Sequence, residues 1–157
     1  MMPLEAAISL SIQLRNTLAA EVKRARAARS VLKGMQVDAL LLQASEREAF
    51  NQGSSQLSDS IAQALGQVAV EHGQRDVTLE QLTAWYPFEG AQLGSVFGEI
   101  RALTGALKEL DGFNQALAAR ALTFVRAYVA HLAPRPAAYG RRGVLAATEA
   151  STHSEHV

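Results

Sequence analysis

Apolar residues between Leu93 and His131 recur at seven-residue steps. One register runs Leu93, Ile100, Leu107, Asn114, Ala121, Tyr128, and the interleaved one runs Val96, Leu103, Leu110, Leu117, Phe124, His131. Together they are the a and d positions of a heptad repeat that no proline interrupts. The pattern predicts a continuous helix of roughly 60 Å. That is too long for one side of a compact globule of this chain length, so other helices must lie along it. Phe97, Phe113, Val125 and Leu132 widen the stripe enough to meet two neighbours. Asn114 stands at an a position among leucines and phenylalanines. There it either fixes register at some cost in stability or lies at a solvated edge.

Two further long helices precede this one. Leu4, Ile8, Leu14, Leu18, Val22, Ala25 and Leu32 recur at helical steps, predicting a helix from Pro3 or Leu4 to about Leu32 with Gly34 as its stop. A second helix is expected from Val37-Asp38 to about His72-Gly73, apolar at both ends. Its polar middle, Ser45 to Gln56, holds Gly53 and reads as a loop or as a continuous but weak helix; the period on both flanks favours the helix. Gln74 to Gly90 is read as the connector. Within it, Thr78 and Gln81 have the spacing of a capping box that starts a short helix through Ala84. Trp85-Tyr86-Pro87-Phe88 then reads as a turn, because the residue before proline disfavours helix. Its aromatics form either a docking patch or, more simply, a plug over one end of a bundle. Gly90, Gly94 and Gly98 at four-residue spacing predict a close approach by another backbone.

Beyond Leu132, Pro134 and Pro136 stop the helix. The fold class expected is all-α: an elongated antiparallel three-helix bundle or helical hairpin with a long C-terminal helix. Residues 1–143 read as a single helical domain, and 144–157, small and polar, as a disordered tail.

Composition narrows the function. Of 157 residues, 48% are apolar but only 6% aromatic, which favours helices and suffices for a core. Formal net charge is zero, which argues against nucleic acid as a main partner. There is no cysteine, no basic leader ahead of Glu5, and no uncharged apolar run near the length of about 20 residues that spans a bilayer. The expectation is a soluble cytoplasmic protein without stable membrane insertion. Lys23, Arg24, Arg26, Arg29 and Lys33 suit the C-terminal end of the first helix and read first as a solvated face on a neutral protein, or else as a site for an anionic surface or RNA.

Catalytic chemistry finds no foothold. Glu46 and Glu48 lie two apart, on different helix faces, and His72 and His131 each stand alone. No glycine-rich phosphate loop follows a strand. His153 and His156 are two ligands at most. The reading is a non-enzyme with no catalytic residues, no metal and no cofactor.

Four stretches carry a resemblance to a known family. They are the leading amphipathic helix ending at Leu32-Lys33-Gly34, the Asp38-Ala39-Leu40-Leu41 opening with Ser45-Glu46-Arg47-Glu48 after it, Val77-Thr78-Leu79-Glu80-Gln81-Leu82, and Phe113-Asn114-Gln115-Ala116-Leu117 followed by Tyr139-Gly140-Arg141-Arg142-Gly143. In order and spacing, over residues 5 to 143, the chain resembles the FlgN-type flagellar export chaperones. It departs from their pattern at Arg47, where lysine is common, and at Leu110-Asp111-Gly112-Phe113. The resemblance implies a chaperone for type III export. Such a protein binds the disordered, helix-forming C-terminal segments of hook-associated (hook–filament junction) proteins and delivers them to the cytoplasmic domain of the export gate. The cargo groove it implies runs along Leu103, Leu107, Leu110, Asn114, Leu117, Phe124 and Tyr128. Tyr139 would dock at the gate, or else pack back on the bundle end. A homodimer is compatible with this reading. The alternatives are a chaperone of another export substrate, such as the filament cap, and a structural coiled-coil subunit whose seam is satisfied by self-association.

Overall fold

The computed structural model describes residues 1–34 and 36–132, with side chains through Arg120 and those of Leu122, Thr123, Arg126 and Ala127 after it. The protein is all-α. Among the described residues the elements are α1 (Pro3–Gly34), α2 (Val37–Glu71), α3 (Leu79–Trp85) and α4 (Pro87–Leu132), with no strand. The chain divides into two compact units, Met1–Leu117 and Ala118–Val157. The bundle described below is the first.

In that unit α1 and α2 form an antiparallel hairpin separated only by residues 35–36. Early α1 residues meet late α2 residues: Leu4 and Ile8 share a core cluster with Val68, and Val22 and Ala25 share one with Phe50. α4 returns parallel to α1. Ion pairing joins Arg15 to Glu99 and a hydrogen bond joins Asn114 to Ala25, separations of 84 and 89 positions. The core is two clusters in tandem. The first gathers Leu14, Leu18, Val22, Phe50, Ile61 and Leu107 from the three long helices. The second gathers Leu4, Ile8, Val68, Leu82 and Leu93, with α3 inserted among them. Leu65 and Phe97, partly buried, touch both. Ser11, fully buried, donates its hydroxyl to the Ala7 carbonyl at 2.7 Å, so a polar atom enters the core without being left unpaired.

The polar middle of α2 is helical throughout, Gly53 included. The stop of α2 is a Schellman turn: Gly73, at φ +66°, donates to the Val70 carbonyl and Gln74 to that of Ala69. Thr78 and Gln81 close the capping box reciprocally, at 3.2 and 2.9 Å.

The connector is shorter than its composition suggests. Trp85 ends α3 and Pro87 opens α4, so Tyr86 alone lies between the helices and the expected four-residue turn does not form. The proline rule acts on one residue: Tyr86 leaves the helical region (φ −135°, ψ 78°), and Pro87 then takes the first helical position, where its missing N–H costs nothing. So tight a corner presses α3 onto the start of α4. A Cβ on Gly90 would lie 2.6 Å from Thr83 Cα, and one on Gly94 would lie 3.1 Å from Leu79 Cδ2. Gly98 faces open space and Gly94 meets only the Leu79 side chain, so the expected close approach by another backbone occurs at Gly90, and the backbone is that of α3. No helix among the described residues is long and apolar enough to cross a membrane.

Candidate functional site

The expected cargo groove divides along its length. Leu107 is only 6% exposed and belongs to the core, while Leu103 and Leu110 are partly buried against the same cluster. With α1 and α2 in place these residues form the inside of the bundle rather than an open groove. The seam's first half, beginning at Leu93 and Val96, is thus consumed by the protein's own helices. Asn114 and Leu117 lie further on and are partly buried. The side chains of Phe124 and Tyr128, and all of Tyr139, lie outside the described residues, as do the tail from 144 and its two histidines.

Burial ends where the hairpin turns. Among the described residues between Arg26 and Ala49 none is buried, although the stretch contains Val31, Leu32, Val37, Leu40, Leu41 and Leu42. Val37 and Leu41 are 66% exposed and Leu42 60%. Opposite, on α4, Phe113 is 45% exposed. An amphipathic helix normally turns such residues inward. Here the three helices present apolar side chains at one end of the unit with little to cover them.

Charges pin the three helices just before that end. Glu21 is buried (3% exposed) on α1 and pairs with Arg24 on the same helix and with Arg47 of α2, whose Nη1 is 3.3 Å from Oε1. Arg47 also grips Asp111 of α4 with both terminal nitrogens, and its guanidinium lies 5.3 Å from the Phe50 ring centre. Two carboxylates and two guanidinia therefore neutralise one another across α1, α2 and α4. The sequence carries a sign of this network: Glu21 falls between Leu18 and Ala25 on the apolar stripe of α1, and a charge at a core position needs a partner. Arg24, read as part of a solvated basic face, stays 41% exposed while its guanidinium pairs with the buried Glu21.

Beyond the network, Asn114 Nδ2 donates to the Ala25 carbonyl at 2.9 Å, and Asn114 Oδ1 is buried without a hydrogen-bond partner. Arg29 lies over the Phe113 ring at 4.7 Å. Together with Arg26, Glu109 and Leu110 these residues line a groove of about 430 Å³ between α1 and α4. A second groove of about 440 Å³ lies between the same helices near their starts, lined by Glu5, Ile8, Phe88, Glu89 and Gln92 among others.

The aromatic turn acts as a plug. Trp85 stacks on His72 at 3.9 Å with planes 8° apart, and Tyr86 OH is 3.1 Å from His72 Nε2. Tyr86 packs against the second core cluster. His72, which stands alone in sequence, is thus the hub that ties the end of α2 to α3. Phe88 takes no part and is 78% exposed.

Among the described residues, no group of three or more His, Cys, Asp or Glu side chains is placed to hold a metal ion. The site is an apolar and charged surface. Compared with known proteins, the chain matches no family model, no curated protein and no solved structure.

Proposed function

We propose that this protein is an export chaperone of the FlgN type, which holds the helix-forming C-terminal segment of a hook–filament junction protein and delivers it to the export gate. One observation carries the reading: the bundle closes its core around Leu93 and Leu107 but leaves Val37, Leu41, Leu42 and Phe113 exposed at its hairpin end. An added amphipathic helix would bury those residues against its own apolar face. A cargo segment that folds as it binds loses part of the gross interaction energy to ordering, so affinity stays modest and release at the gate needs no nucleotide.

The docking locus therefore differs from the groove the heptads suggested. Cargo would meet the end of the seam, at Asn114 and Leu117, and the start of α2, with Leu103 and Leu107 supporting from inside. In the resemblance the gate is met separately, by Tyr139.

Titration calorimetry with the C-terminal segment of a junction protein tests this. Binding near one to one with a clearly negative heat-capacity change is expected. L41E with L42E should keep the helical content and weaken binding at least tenfold. Tyr139→Ala should bind cargo normally and dock poorly at the gate. If the wild-type chain binds neither a junction-protein nor a filament-cap segment, the chaperone reading fails.

A further inference from the structure

The two grooves between α1 and α4 are the same place on the helices, three heptads apart. Adding 21 to Glu5, Ile8, Phe88, Glu89 and Gln92 gives Arg26, Arg29, Glu109, Leu110 and Phe113, and all ten residues line their respective grooves. The offset holds on both helices at once because α1 and α4 run parallel: Glu5 and Phe88 in one groove and Arg26 and Glu109 in the other are each 83 positions apart, close to the 84 of the Arg15–Glu99 contact midway. The grooves thus lie along one side of the α1–α4 pair, about 31 Å apart, with a drift of about 20° per heptad between them.

Their charges are opposite. The groove near the helix starts has Glu5 and Glu89 and no cation. The other has Arg26 and Arg29 against the single acid Glu109. Each also has an exposed aromatic ring, Phe88 in one and Phe113 in the other. Between them the α4 side of the face carries Ser95, Glu99 and Ala102, all exposed, and Glu99 is neutralised by Arg15 of α1 at 3.4 Å.

We infer that this face binds a second copy of the chain, laid antiparallel about a two-fold axis that crosses both helices midway. Such an axis relates positions on α4 whose numbers sum to about 201: Phe88 meets Phe113 of the other copy, and Gln92 meets Glu109. On α1 the matching sum is about 31, which brings Glu5 to Arg26. The two sums describe one axis, because α1 residue 15 and α4 residue 99 are already in contact. Both acidic grooves then meet basic grooves in a single closed dimer, as an isologous interface requires. A parallel pairing would set Arg26 and Arg29 against their own copies and is disfavoured by like charge. This inference does not rest on the cargo reading.

The test is sedimentation equilibrium of the full chain with charge reversals. E5R with E89R makes both grooves basic; R26E with R29E makes both acidic. Each double variant should keep its helical circular dichroism and dimerise at least tenfold more weakly than wild type. Mixing the two should restore a dimer, since every groove then meets its opposite. The chain has no cysteine, so Ala102→Cys and Gln92→Cys each report one position. A short bis-maleimide should couple A102C to itself and leave Q92C uncoupled, because two copies of residue 92 would lie about 25 Å apart. A wild-type chain that stays monomeric throughout the micromolar range overturns the inference. So does a dimer indifferent to both reversals, or self-coupling of Q92C in place of A102C.

Discussion

Asn114 on α4 donates its side-chain amide to the carbonyl oxygen of Ala25 on α1, while its own oxygen is buried without a donor. The contact joins residues 89 positions apart and holds α4 at one height against α1. A buried polar group that is only half satisfied usually costs stability and fixes register. Asn114→Leu should therefore raise stability by about 1 kcal/mol in urea unfolding at an unchanged slope. A loss of stability instead would mean that the Ala25 bond outweighs the unpaired oxygen.

Among the described residues, Arg47 alone touches both Glu21 and Asp111 and so links all three long helices by charge. Arg47→Ala should cost about 1–3 kcal/mol, the upper part of that range reflecting the buried Glu21 and the lower part the one-third exposure of Asp111. Arg47→Lys keeps the charge but cannot reach two carboxylates with a planar fork, so it should fall between the two. Equal stability of the lysine and arginine forms would show that geometry is irrelevant here.

Gly90 sits where α3 crosses the start of α4, with no room for a side chain. Gly90→Ala should destabilise by about 2–3 kcal/mol, since the obstacle is the Thr83 backbone rather than a flexible side chain. Gly53, helical with open space around it, is the matched control: Gly53→Ala should stabilise by about 1 kcal/mol. Paired thermal melts give both signs in one experiment.

Trp85 is the chain's one tryptophan and it stacks on His72, so its fluorescence reports the plug directly. His72→Ala removes the stacked ring and the bond to Tyr86, at a cost of about 1 kcal/mol, with a red shift of the Trp85 emission as water reaches the indole. Far-ultraviolet circular dichroism should barely change. An unaltered emission spectrum would place Trp85 away from His72 in solution.

Much of this was legible in the chain. Helical period located α1 and α2 to within a few residues, the Thr78–Gln81 spacing named its own capping box, and continuity across Ser45 to Gln56 followed from the flanks. These are local signals, decided by propensity and by contacts within one or two turns. The corner at Trp85–Phe88 was misjudged because proline stops one helix and starts another with the same chemistry. Which applies depends on whether the next helix has somewhere to pack. The solitary look of His72 failed for a similar reason: its partners are thirteen and fourteen positions away, across a chain reversal.

By itself the sequence determined that this protein is helical, where α1, α2 and α3 begin, and which face of each long helix is apolar, because periodicity and capping act within a single element. It could not decide how much of the apolar face of α4 the protein keeps for itself. Heptads look alike whether a seam meets its own helices or a partner's. Only the tertiary arrangement, with α1 and α2 packed over Leu93 to Leu107 and burial ending at Ala25 and Phe50, separated core from exposed surface. The same holds for charge. Lys23 to Lys33 is one basic run in sequence, and the three-residue spacing within α1 already sets Arg24 beside Glu21, but packing alone brings Arg47 to the same carboxylate and leaves Arg26 and Arg29 lining a groove.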